Sequence, residues 1–315
     1  MTKSGDMKTY APEYYTRFKC IASRCRHSCC IGWEIDIDSD TLDYYKAVGG
    51  YFGKRLSDSI TDGDCPCFTL GNDERCPFLN SEGLCDIIIT LGEDSLCQIC
   101  RDHPRFRNYF SDRVEIGLGL CCEEAARIIV EGEGSADLTV IEDDGEECPP
   151  TSEEAEFFKY RQRLLDILGN TALPIEQRLS SCLEDVGIPD KAITPKELSE
   201  SLLDLEYMES EWHSTLVSIG KSDTLPTLPV DTDEAFARLA SYFLYRHLPD
   251  SLDDGRLPER TAFCIFCTRV LRVICALRLS QNGELTSADI IEAARMFSSE
   301  IEYSEENTEA LISAV

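Results

Sequence analysis

No stretch of the 315 residues reaches the roughly 18 uncharged apolar positions that a membrane-spanning helix needs. The nearest, residues 261–279, is interrupted by Arg269, Arg272 and Arg278, so no membrane partner is expected. The opening MTKSGDMKTY lacks an apolar h-region, and no secretory signal is expected from it. Basic residues are scarce: 30 Lys and Arg stand against 59 Asp and Glu, a net charge of −29. Such a chain has no phosphate-neutralising stripe, which argues against nucleic acid as a partner. The same acidity aids solubility and can attract a basic peptide or a lysine-bearing protein. A strand followed by Gly-x-Gly-x-x-Gly is also missing. Gly117 and Gly119 imitate its start, but Cys122 stands where the third glycine belongs. Neither a phosphate loop nor a Gly-x-Ser-x-Gly elbow occurs, which excludes those nucleotide and serine-hydrolase chemistries.

What the chain has in excess is cysteine, 17 residues, of which 13 lie at or before Cys148. The expected compartment is the cytoplasm, where thiols stay reduced and cysteines read as metal ligands or a redox site. They come in arms: Cys20-x4-Cys25-x3-Cys29, Cys76-x8-Cys85 and Cys97-x2-Cys100. Such spacing lets one folded loop aim several sulfurs inward, and thiolate selects zinc, copper(I) or iron–sulfur clusters. Zinc usually takes two close cysteine pairs. Only Cys97 and Cys100 form one, with Cys25 and Cys29 a looser second. A cuboidal cluster accepts more scattered loops, so spacing favours a cluster, with zinc as the alternative. Cys29 and Cys30 are adjacent, and in extended backbone their side chains point apart. Cys182, Cys264, Cys267 and Cys275 need no metal. The last three share an arc of roughly 80° on an apolar helix and read as core.

Length and a 43% hydrophobic composition suit one or two domains. Residues 33–38 alternate apolar and polar and read as a short strand. Ser39 or Asp40 can cap the helix TLDYYKAV, which Gly49, Gly50 and Gly53 end or interrupt. Residues 62–82 read as loop wrapped on a centre. Residues 113–120 read as a strand, and 123–130 as a helix with acidic residues in its first turn. The acidic stretch 131–151, ending in Pro149 and Pro150, reads as a boundary. Beyond it the spacing is helical over 153–168, 175–186, 195–219, 233–247, 260–280 and 287–301. The expected fold is therefore mainly α. A small loop-rich α+β cysteine-rich metal-binding domain spans residues 8–135, and a helical domain follows over 152–315.

Four motifs occur in order: Cys-x4-Cys-x3-Cys-Cys-x-Gly-Trp, Cys-Pro-Phe-Leu…Gly-Leu-Cys, Leu-Gly-Glu…Cys-Arg-x-His-Pro-Arg, and Leu-x-Leu-x-Cys-Glu-Glu-Ala. In these the chain resembles the flagellin lysine-N-methylases of bacteria. Its first motifs also resemble the broader group of cysteine-rich domains described as zinc- or iron-chelating. The resemblance runs over residues 10–130; the helical half matches in general character and is short for that family. It implies S-adenosylmethionine-dependent methyl transfer to the ε-amine of surface lysines on flagellin. It also implies an iron–sulfur cluster, of the four-iron (4Fe-4S) type, near the reacting centre. Cys20, Cys25, Cys29, Cys30, Cys76, Cys85 and Cys100 fall on the family's cysteine pattern and are the expected metal ligands, with Cys122 on its later motif. Cys65, Cys67, Cys97 and Cys121 are extras. These are too many thiols for one four-ligand cluster, and the four stay unassigned.

Methyl transfer from a sulfonium to an amine is an in-line displacement, which asks for a neutral lysine and alignment. Free lysine has a pKa near 10.4, so burial or a base must remove its proton. By nearness in sequence, Tyr14, Tyr15, Glu34 and Asp36 are the candidate catalytic residues. Arg101 and Arg105 can fork onto the cofactor's methionyl carboxylate, or pair with acidic neighbours. His27 and His103 read as outer-shell or surface groups. A radical enzyme's Cys-x3-Cys-x2-Cys would need cysteine where Gly32 stands. Two other readings remain: a non-enzymatic zinc- or iron-binding module, and a redox protein using Cys97-x2-Cys100 as a dithiol.

Overall fold

Fourteen α-helices and one four-stranded sheet make up the described residues of the computed structural model, which are 7–61, 63–132, 137–143 and 148–315. The mainly helical expectation holds. In chain order the elements are β1 (Lys8–Pro12), α1 (Ser39–Ala47), α2 (Gly50–Asp58), α3 (Asp86–Leu91), α4 (Gln98–Asp102), β2 (Arg105–Tyr109), β3 (Arg113–Leu118), α5 (Glu123–Val130) and β4 (Leu138–Glu142). Then come α6 (Ser152–Leu168), α7 (Ile175–Asp185), α8 (Pro195–Leu203), α9 (Ser210–Gly220), α10 (Asp233–His247), α11 (Ser251–Asp254), α12 (Leu257–Asn282), α13 (Ser287–Phe297) and α14 (Glu305–Ala314).

The chain packs as two units. One comprises the segment up to Phe18, Phe106–Cys121 and Ala125–Val315; the other comprises Lys19–Arg105 and Cys122–Glu124. The described part of the acidic stretch read as a boundary lies within the first unit, where β4 pairs antiparallel with β1; its residues 133–136 and 144–147 lie outside the described residues.

In the first unit the strand order is β2-β3-β1-β4, with β1 parallel to β3 through Lys8↔Arg113 and Tyr10↔Glu115. Gly117 in β3 is a packing requirement, because a Cβ there would meet the Phe106 ring at 2.3 Å. That explains one glycine of the imitation nucleotide motif. The helical core centres on α10 and α12. Eleven of the 15 residues of α10 are buried, so it is apolar nearly all round and lies inside the bundle. Cys182, Cys264, Cys267 and Cys275 are each fully buried in this core, among Phe, Ile, Val and Leu. Glu115 and Arg161 form a buried two-pronged ion pair, both contacts 2.7 Å, that fastens α6 to β3.

A second buried charge site follows α13, where a π-type turn (Ser298–Glu302) carries Glu302 inward. Its carboxylate accepts from Tyr242 Oη at 3.0 Å, lies 2.6 Å from His247 Nε2 and 3.3 Å from Arg246 Nε. Burial opposes its charge, but Arg246 and His247 outweigh burial and draw its carboxyl down to about 2.

Several sequence expectations need correction. Residues 33–38 alternate in burial, with Ile35 and Ile37 inside, yet form no strand; Asp36 makes one isolated bridge, to Cys67. The cap of α1 is Asp38, one residue earlier than expected. The pattern over 195–219 is two helices, α8 and α9. They are parted because the Glu300 carboxylate takes the amides of Met208 at 2.8 Å and Glu209 at 2.7 Å. The pattern over 287–301 ends as α-helix at Phe297.

Candidate metal centre

Eleven of the 17 cysteines belong to the second unit. Its small core is Ile35, Ile37, Tyr45, Leu56, Phe68, Phe78 and Ile87, together with Cys76 and Cys97. Residues 62–82 contain no α-helix or strand among the described positions, as the loop reading expected, but they are tightly tied. Ile31 bridges Arg75, the Cys76 amide donates to the Cys30 carbonyl at 2.8 Å, and the Gly32 amide to that of Glu74 at 3.1 Å. Gly32 needs to be glycine for its φ of +90°. The next turn is held by Asn80, whose side-chain oxygen accepts the Glu82 and Leu84 amides while its nitrogen donates to Asp86. Arg55 closes it, donating to Asp86 at 2.7 Å and to the Pro77 carbonyl at 2.6 Å.

These ties gather one set of sulfurs. Cys30, Cys76, Cys85, Cys97 and Cys100 lie in or against the small core and perturb one another. Cys85 and Cys97 each immediately precede a helix, α3 and α4. The amides of Ile87 and Ile88 point at Cys85, that of Cys100 at Cys97, and that of Phe78 at Cys76. Amide donors of this kind stabilise thiolate over thiol. Burial still pushes Cys76 up to about 12, with Cys30, Cys85 and Cys97 adding to the rise. A hydrogen bond from Cys100 lowers Cys97, and the same bond, with burial, raises Cys100. One carboxylate orders the neighbourhood: Asp38 accepts the Thr41 amide at 3.0 Å, capping α1, and the Gln98 amide at 2.7 Å, opening α4.

A second set consists of Cys20, Cys25, Cys29 and Cys122. Cys25 is pushed up to about 11, by burial first, then by Glu123, Cys122 and Cys20. Cys29 is raised by its hydrogen bond to Cys30 and by burial, with Cys20 and Cys122 also contributing. Among the described residues, no three Cys, His, Asp or Glu side chains are drawn together closely enough to grip a single metal ion as they stand.

The seven expected ligands fall into two groups that meet at the hydrogen bond between Cys29 and Cys30, so these two side chains do not point apart as extended backbone would have them. Cys30, Cys76, Cys85 and Cys100 share a neighbourhood, while Cys20, Cys25 and Cys29 share another. Cys97 joins the first and Cys122 the second; the Cys97-x2-Cys100 spacing was the sequence signal for the former. Of the candidate catalytic residues, Tyr14 and Tyr15 belong to the first unit, and Glu34 and Asp36 to the second. Burial raises the Tyr14 hydroxyl far above its usual range, so it stays protonated. Glu34 and Asp36 are exposed, and Glu34 accepts from the Cys67 thiol at 3.4 Å. Arg101 is exposed on α4, and Arg105 donates to its carbonyl at 3.3 Å. Burial draws His103 down to about 4, leaving a neutral ring 5.9 Å from Trp33. A polar cavity of about 340 Å³ lies in the first unit between α9, α12 and α13, and none of the sequence candidates lines it. No described helix is long and apolar enough to cross a membrane.

No family model matches the chain. No solved structure matches it either. It is 29% identical over 170 residues to a protein named lysine-N-methylase from Salmonella typhimurium, covering 50% of this chain and 40% of that protein. The identity and coverage are the same for the lysine-N-methylase of Salmonella choleraesuis. The flagellar biosynthetic protein FliU of Salmonella muenchen is 30% identical over 130 residues, covering 38% of this chain and 75% of FliU. The matched chain thus spans about two fifths of the length of the two methylases.

Proposed function

The chain belongs to the lysine-N-methylase family, and on that premise we propose that it transfers methyl groups from S-adenosylmethionine to lysine ε-amines of flagellin, using an iron–sulfur cluster held by its cysteine unit. The observation that carries the cluster is the first sulfur set: five thiols in one small core, three of them approached by backbone amides. That donor chemistry fits a soft metal centre. Cys30, Cys76, Cys85, Cys97 and Cys100 would supply its ligands, and five are enough for four corners. When bound, S-adenosylmethionine supplies a methyl on a positively charged sulfur, and the cluster supplies iron that can be structural or can grip the cofactor's amino and carboxylate groups.

The chain's own residues have narrower tasks. The new N–C bond needs the lysine lone pair, so a base must accept the ammonium proton before the C–S bond breaks. Tyr14 is held protonated and is a poor base. Glu34 and Asp36, exposed on the cysteine unit, are better placed to take the proton. Arg101 offers a guanidinium to a carboxylate.

The test is anaerobic purification, followed by iron and sulfide analysis and calorimetry with S-adenosylmethionine. Single-turnover transfer of labelled methyl to flagellin then gives the rate. Bound iron with cofactor binding and flagellin labelling is expected; zinc, with no cofactor binding, would favour the metal-binding module. Arg101→Ala should weaken cofactor binding at unchanged metal content. If Glu34→Gln and Asp36→Asn both keep the wild-type rate, neither is the base.

A further inference from the structure

We propose that the polar cavity between α9, α12 and α13 binds a small zwitterion of the α-amino acid class, with Arg278 receiving its carboxylate and the facing side of α9 its ammonium. The proposal does not rest on the methyl-transfer reading. Arg278 is the unusual group. Elsewhere in the helical core, Arg161, Arg269, Arg272 and Arg295 each hold a carboxylate at 2.6–3.0 Å. Around Arg278 two carboxylates stand off, Glu211 at 3.9 Å from Nη2 and Asp289 at 3.9 Å from Nη1. Among the described residues its guanidinium donates one hydrogen bond, from Nη1 to the Asp289 carbonyl at 3.2 Å. A chain with 59 acidic and 30 basic residues does not lack carboxylates to close on an arginine. Asp289 is held where it is, because its Oδ2 takes the Thr286 amide at 2.9 Å and the Thr286 hydroxyl at 2.6 Å to cap α13. The remaining N–H groups of Arg278 are thus donors on the cavity wall awaiting an acceptor.

The opposite wall offers the reverse chemistry. α9 buries Trp212, Leu216 and Ile219 and turns Glu211, Ser214 and Ser218 to the cavity. The Ser214 hydroxyl donates to the Glu211 carbonyl at 3.0 Å, and the Ser218 hydroxyl to the Ser214 carbonyl at 2.8 Å. With those protons used inside the helix, the two hydroxyl oxygens are left as acceptors. Glu292, also in the lining, is paired with Arg295 at 2.9 Å and adds no net charge. A bare anion would meet Glu211 and Asp289, and a bare cation would meet Arg278. A molecule carrying both charges satisfies both walls: its carboxylate takes the guanidinium fork, and its ammonium meets the Glu211 carboxylate and the serine oxygens. The volume, about 340 Å³, is at the small end of ligand sites. Leu277 is the one purely apolar side chain in the lining, which suits a hydrophilic guest.

The test is calorimetry on the full-length chain with each of the twenty L-amino acids at up to about 10 mM. S-adenosylmethionine, which carries the same two groups at its methionyl end, is the last probe. At least one probe should bind. For an amino acid that binds, its methyl ester, which lacks the carboxylate charge, and its N-acetyl derivative, which lacks the ammonium, should each bind about tenfold more weakly or worse. Arg278→Gln should weaken binding to a similar degree. Ser214→Phe fills the cavity from an exposed helix position without touching Arg278, and should also abolish binding; it decides the matter if Arg278→Gln does not fold. Binding of a free amino acid that Ser214→Phe abolishes would name a metabolite as the source of the two charges. The same result with S-adenosylmethionine alone would name the cofactor. If no probe binds, or if the ester or the N-acetyl derivative binds as tightly as the parent, the proposal is overturned. Unchanged binding in Ser214→Phe overturns it as well, since the ligand then sits elsewhere.

Discussion

Asp38 shows how much one side chain can organise. It lies in the alternating stretch 33–38, and its two oxygens start two helices, one of them carrying Cys100. Asp38→Ala removes the N-cap of α1 and the bond to the exposed Gln98 amide. It should lower the stability of the cysteine unit by about 0.5–2 kcal/mol, read from urea midpoints, and, if the unit holds the proposed metal, speed its loss to a chelator. Glu302 makes a prediction of a different kind. Its carboxyl is depressed from 4.5 to about 2 in the folded chain. The stability it contributes is therefore fully present above about pH 4.5 and is lost as pH falls through about 2. Burial also lowers His247, so protonating that ring on acidification works in the same direction. Urea midpoints measured from pH 7 downward should fall in this range. Glu302→Gln should be less stable at neutral pH and show a flatter decline below pH 4.5.

At the level of elements, helices with a sustained 3.6-residue pattern were legible. α10 and α5 run between the residues expected for them, because apolar spacing marks a helix without reference to distant partners. Strands were legible only where hydrophobicity was high, as in β3. β1 went unread because its partners lie about a hundred residues away, and pairing of that range leaves no local mark. β4 was hidden in a stretch whose charge resembled a linker. The gap between α8 and α9 depends on Glu300, a residue outside both helices, so no local pattern could announce it. The cysteines divide in the same way. Spacing separated the packing thiols of α12 from the rest, but the partition of the others depends on the contacts of Glu123 and Asp38. Replacing Cys264, Cys267 and Cys275 together by Ala should therefore reduce stability through lost packing while iron, sulfide and zinc content stay at the wild-type level. Any loss of metal would contradict the assignment of these three to the core.

Over the whole molecule the dominant property is charge, −29 in 315 residues. Such a field attracts cationic partners and is screened by salt. If flagellin is the substrate, its association rate should fall as ionic strength rises from about 0.05 to 0.5 M. The turnover of flagellin already bound should change much less. Stopped-flow binding and single-turnover labelling separate the two. The order of synthesis adds a further constraint. Lys8 must wait for Arg113 before β1 gains its parallel neighbour. At about 5–20 residues per second, that delay is roughly 5–20 s on the ribosome. During it the sulfur-bearing segment emerges almost whole while the first strand is still unpaired. If the cysteine unit takes up the proposed cluster, a cell short of iron or sulfide in those seconds would release chains whose cysteines are finished but unfilled, and whose earliest strand has only just found its place.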